Sequence, residues 1–203
     1  MPANRLNLQE VIADFVPGVV FLTVLVLLVA ENTAFVVSEF STVELLLVFI
    51  LGGYVAGKFM RSVSGALQGL VERVFEPKYD YAAIYEEARS RSVPHIDGSD
   101  EGRVEGFARR LAHEESDAYV GLRAAYRYSR NILTVFLLYG FVFVLSPLFG
   151  EYSIYGFSVF LVGVAFLFVS VFLLYRTRIL YHRKKMALED GFYMGLSRME
   201  ANA

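Results

Sequence analysis

Cysteine and tryptophan are absent from this chain of 203 residues, and histidine occurs only three times. Without cysteine there are no disulfides, no thiolate metal sites, no thioether-linked haem and no cysteine nucleophile. Proline is sparse, with five in all, so long uninterrupted helices are permitted wherever the apolar pattern calls for them. Segments 31–42 and 150–154 contain no lysine or arginine. No zinc-finger spacing, phosphate loop, dinucleotide fingerprint or nucleophile elbow occurs, and no apolar run carries a charge at its midpoint.

What is present is apolar surface. Hydrophobic residues make up 56% of the chain and charged ones 20%, against about 45 to 50% apolar in ordinary soluble domains. The excess lies in four runs, 15–30, 43–59, 132–149 and 155–175. A helix needs about 20 residues to cross roughly 30 Å of hydrocarbon. The last two runs meet that length, and flanking apolar residues lengthen the first two. All 19 lysines and arginines fall in, or at the edges of, the N-terminal tail, the central segment and the C-terminal tail. Short cytoplasmic loops carry the excess of cations. The pattern therefore predicts an integral protein of the plasma membrane with both termini and residues 61–130 on the cytoplasmic side. A cleavable signal peptide with its apolar core at 16–30 is the rival for the first run, but Glu10 and Asp14, with Arg5 the sole basic side chain there, make a poor n-region.

The expected fold is all-α: a polytopic membrane protein with four transmembrane helices and a helical cytoplasmic extension between helices 2 and 3. Residues 1–60 form the first transmembrane hairpin, 61–130 a cytoplasmic stalk, 131–175 the second hairpin and 176–203 a basic cytoplasmic tail. Residues 4–14 have amphipathic spacing, with Asp14 as the expected N-cap of the first span and Pro17 in its first turn, where a missing N–H is harmless. The sharper alternative makes Asp14 a proton or cation site at the membrane edge. Ser41 or Thr42 caps the second span, with Glu44 favourably placed near the positive end of the helix dipole. Beyond Pro77, a helix is expected over 79–91, a loop over 93–100, and one long helix from Asp100 into the third span, bent near Ser129, Arg130 and Asn131.

Small residues mark the expected helix contacts. Gly53, Gly57, Gly65 and Gly69 recur at four-residue steps or multiples of them, the pattern of close helix approach, and a hinge near Gly57 is a competing use. Gly57 and Gly65 are expected to touch the long helix entering the third span. Gly156, Gly163 and Ser170 recur at heptad spacing, the seam of a packed helix pair. After the fourth run, Arg176, Arg178, Arg183, Lys184 and Lys185 form a polybasic segment expected to contact headgroups of an anionic inner leaflet.

No catalytic, cofactor-binding or metal-binding residue is expected. His113 and Asp117 share a helical face, but the second histidine of a zincin is missing. His95 and His182 are too far apart in the chain to pair. Arg123, Arg127 and Arg130 with Tyr119, Tyr126 and Tyr128 read as an interfacial belt rather than a nucleic-acid surface, so no nucleic acid is expected. The function that fits is a non-enzymatic membrane component acting as a sensor, anchor or effector subunit, self-associating and engaging a cytoplasmic protein. The alternative is an oligomeric channel or membrane-permeabilising assembly, and less favoured still is an interfacial enzyme.

Overall fold

The computed structural model describes residues 8–32, 41–75, 101–150, 152–154 and 157–201. The expected helix over 79–91, the loop 93–100 with His95, and Gly156 lie outside the described residues. Gly69 falls within a helix, but its packing is not described.

The described chain is nearly all helical. Helix α1 covers Leu8–Asn32. Helix α2, Thr42–Leu47, passes through a π-helical turn at Val48–Gly52 into α3, Gly53–Phe75. Helix α4 covers Glu101–Glu115, α5 covers Asp117–Val144, and α6 covers Val159–Ala201. Four stretches are long and apolar enough to cross a membrane: Val11–Ala30, Thr42–Ala66, Asp117–Leu148 and Val159–Gly195. The expectation of four such helices is met.

Local chemistry accounts for the ends. Ser41 caps α2 in a reciprocal capping box: its Oγ accepts from the Glu44 N–H at 3.3 Å, while Glu44 Oε2 accepts from the Ser41 N–H at 2.8 Å. Pro147 sits in a single 3-10 turn, Ser146–Leu148, where its missing N–H costs no helical bond. Gly150 follows with φ 147°, a conformation that side chains with a Cβ rarely adopt. The chain then forms a minimal antiparallel pair, β1 (Ser153–Ile154) with β2 (Phe157–Ser158), the only strands among the described residues. This pair moves the start of the last helix to Val159 rather than residue 155.

Two expectations about helix continuity change. Asp14 is not an N-cap: α1 is already helical from Leu8, so Asp14 and Pro17 both lie inside it. The interruption in the long central helix falls at Ser116 rather than at residues 129–131. There the Ser116 hydroxyl accepts from the Tyr119 N–H at 3.2 Å and starts α5, a role that short polar side chains take readily.

The chain divides into two compact units. The first contains residues 1–70 and 127–177. Its core joins Met60, Val135, Tyr139, Phe143, Ile154 and Val159, and the buried Tyr139 hydroxyl donates to the Phe21 carbonyl at 2.7 Å. Gly163 packs on α5 so closely that a Cβ would lie 2.7 Å from Phe143 Cβ, and Gly140 meets Leu167 in the same way. The second unit contains residues 71–126 and 178–203. In it the C-terminal part of α6 lies against α4 and the start of α5. Ala112, Tyr119, Ala187 and Leu188 form its core, Phe107 and Phe192 meet edge to face, and a Cβ on Gly191 would come within 2.9 Å of Ala112 Cα. The polybasic segment is thus helical throughout, and its continuation is packed.

Candidate functional site

Proline inside a helix leaves one carbonyl without its partner, the one four residues earlier. In α1 that carbonyl belongs to Ala13. The Asn131 side chain of α5 supplies the missing donor: its Nδ2 donates to Ala13 O at 3.2 Å and to Asp14 Oδ1 at 3.2 Å. Asp14 Oδ2 in turn accepts from Lys58 Nζ at 3.1 Å and Arg61 Nη1 at 3.3 Å, both on α3. The Asp14 side chain is 3% exposed while Lys58 and Arg61 retain 45% and 44%, so the carboxylate is covered and its cations are not.

The layer extends through hydroxyls. Ser64 Oγ donates to Asn131 Oδ1 at 2.6 Å and accepts from Arg130 Nε at 3.2 Å. Thr177 on α6 donates its one hydroxyl proton to the Leu173 carbonyl at 2.7 Å, so Ser129 is the donor in the 2.9 Å contact between Ser129 and Thr177. Helices α1, α3, α5 and α6 each place polar groups in the first unit near the points where α3, α5 and α6 leave it. Burying a carboxylate is costly unless it is paired and hydrogen-bonded, and here two cations and an amide meet that requirement.

Glycine makes the approach of α1 to α3 close enough for these contacts. A Cβ on Gly18 would overlap the Gly53 carbonyl and lie 2.8 Å from Gly57 Cα, and one on Gly57 would overlap the Asp14 carbonyl. Gly53 would meet Val19 Cγ2 at 2.7 Å. The close partner of Gly57 is therefore α1, not the helix entering the third span. Gly65 has open space around it, with nothing within 4 Å of a Cβ there. The glycine stripe of α3 is used at Gly53 and Gly57 and not at Gly65. Ser170, in the other expected seam, is buried with its hydroxyl on the Phe166 carbonyl at 2.8 Å.

Other candidates are placed differently. His113 and Asp117 are exposed and separated by the Ser116 interruption, next to an exposed Arg110–Glu114 pair at 3.1 Å. Among the described residues, no three metal-ligating side chains cluster. In the basic aromatic stripe Tyr119, Tyr126 and Arg127 are buried, and Arg123, Tyr128 and Arg130 are half-buried. In the polybasic segment Arg176, Arg178 and Arg183 are exposed. Lys184 instead lies over the rings of Tyr126 and Tyr181, at 4.4 and 4.8 Å from their centroids.

Sequence reasoning reached Asp14 but assigned it to a cap, and it missed Asn131, Ser64 and Gly18 as its supports. The available signal was a proline following Asp14 by three residues, with an asparagine opening a later apolar run. A scan of protein-family models, a search of curated proteins and a search of solved structures each found nothing that matches this chain.

Proposed function

We propose that this chain is a non-enzymatic membrane component, acting as a sensor, anchor or effector subunit, whose second unit engages a protein partner on the cytoplasmic side of the plasma membrane. The observation that carries this reading is that α5 and α6 are each shared by both compact units, so the residues that hold the spans together and those of the second unit lie on the same helices. In this reading the Asp14 layer holds the spans in register, and the chain self-associates. On that reading the exposed Arg176, Arg178 and Arg183, with Lys185, lie on the cytoplasmic side and contact anionic headgroups, while Lys184 is held by its two rings.

The natural lack of cysteine makes the test clean. In intact cells a membrane-impermeant maleimide should label Ser41→Cys and leave Glu189→Cys untouched until the membrane is opened. A photo-crosslinker placed at Glu189 should then give a defined protein adduct, and the purified chain in detergent should sediment as an oligomer. Labelling of both cysteines from outside would refute the topology. A monomer without any adduct would refute the partner reading, and ion flux through liposomes carrying the purified chain would replace it with a channel.

A further inference from the structure

Lys58 and Arg61 share a single carboxylate, and nearly half of each side chain is exposed. Among the described residues, Arg61 spends one N–H on Asp14, and Lys58 adds to its ion pair a contact over the Tyr54 ring, at 5.3 Å from the centroid. Asp14 sits behind the two cations and fixes them without reaching the surface. An anion approaching from outside α3 therefore meets two positioned positive charges and almost no exposed carboxylate.

The same helix face continues away from the cations as apolar surface. Leu51, Tyr54 and Val55 are 65%, 50% and 67% exposed, and they precede Lys58 and Arg61 at helical spacing. From Leu51 to Arg61 the rise is about 15 Å, which is half of a hydrocarbon core of roughly 30 Å. A stripe with two cations at one end and one leaflet's depth of apolar surface at the other matches a single amphipathic ligand. The fit is to a phosphate group on the cations and an acyl chain along the apolar part.

We propose that Lys58 and Arg61, positioned by buried Asp14, form a binding site for one phospholipid with a net negative headgroup, its acyl chain lying along Leu51, Tyr54 and Val55. A choline headgroup would bring its own cation towards Lys58 and Arg61, so the site selects against zwitterionic phosphatidylcholine. The proposal rests on Thr42–Ala66 lying in a membrane and is independent of any protein partner.

The full chain in a neutral detergent can be titrated with dihexanoyl phosphatidylglycerol, dihexanoyl phosphatidylcholine or glycerol phosphate, with binding read from the thermal midpoint followed by circular dichroism. Saturable stabilisation by the phosphatidylglycerol alone is expected. Replacing Lys58 and Arg61 strands the Asp14 carboxylate, so the informative variant is Asp14→Asn/Lys58→Gln/Arg61→Gln, which removes all three charges together. Its half-saturation should rise about fivefold, since the variant loses one net positive charge and each cation near an anionic headgroup is worth about fivefold. If that variant does not fold, Lys58→Gln alone, which leaves Arg61 on Asp14, should shift half-saturation about fivefold. Exposed cations without a headgroup role provide the control: Arg109→Gln/Arg198→Gln should leave the titration unchanged. An equal loss in that control would mean bulk attraction and overturn the site. Stabilisation by glycerol phosphate to the same extent would identify a soluble anion and overturn the lipid, as would a variant lacking Lys58 that titrates like the parent.

Discussion

Replacing Asn131 tests the claim that this side chain stands in for the N–H that Pro17 lacks. Asn131→Ala removes a hydrogen bond to a carboxylate, about 1.5 to 3 kcal/mol, and a neutral one to the Ala13 carbonyl, about 1 kcal/mol. It also deprives the Ser64 hydroxyl of its 2.6 Å acceptor. Interhelical hydrogen bonds measured in membranes average nearer 0.6 kcal/mol, because the unfolded chain finds other partners there. Asn131 is fully buried by protein, which places the total at about 2 to 4 kcal/mol. The cost should be background-dependent. With Pro17→Ala, residue 17 regains an N–H that can reach the Ala13 carbonyl within the helix, and the loss of Asn131 then exposes one fewer orphaned group. Reversible unfolding in mixed micelles across a double-mutant cycle should show a coupling of about 1 kcal/mol, roughly a fivefold difference in equilibrium constant. Costs that add to within about 0.3 kcal/mol would refute the substitution of the amide for the proline N–H.

Burial is asymmetric in the ion pairs, so Lys58→Met/Arg61→Met should destabilise the chain more than Asp14→Asn. The former strands a buried carboxylate, costing about 3 kcal/mol or more, while the latter leaves half-exposed cations to water. Equal thermal midpoints for these two variants would contradict this. Gly18→Ala places a Cβ on the backbone of α3 and should cost about 3 kcal/mol. Gly65→Ala meets open space and should raise stability by about 0.5 to 1 kcal/mol through helix propensity alone; a loss at Gly65 comparable to that at Gly18 would show that the stripe acts as a whole. In the second unit, Lys184→Met removes two ring contacts and should lower stability by about 1 kcal/mol, read from thermal unfolding in low salt.

The four apolar runs and a cap at Ser41 or Thr42 were legible because each depends on neighbours in the chain. The polar layer was not. Asp14, Lys58 and Asn131 are distant in sequence, and each has an adequate local explanation as a cap, a membrane-edge cation or a bend. Their meeting depends on α1 and α3 approaching backbone to backbone, which required Gly18 to face Gly53 and Gly57. A stripe of small residues announces close approach without naming the partner, which is why Gly57 was paired in expectation with the wrong helix and Gly65 credited with a contact it does not make. The C-terminal segment was hidden for a related reason. Its cations suggested a headgroup anchor, while the small residues that pack it, Ala112, Ala187 and Gly191, are unremarkable in any helix.

The wide turn at Val48–Gly52 bears on what lengths of chain this fold accepts. A π turn holds one residue more than an α turn, so removing one residue from it yields an ordinary helix whose two ends keep nearly their original facing. Between Gly53 and Lys58 a single deletion would swing everything beyond it by about 100° and carry Lys58 and Arg61 away from Asp14. Deleting Ile50 should therefore be absorbed, whereas deleting Ala56, which separates Gly53 from Lys58, should not. The second span carries a slack residue, and the rest of its length is held in phase.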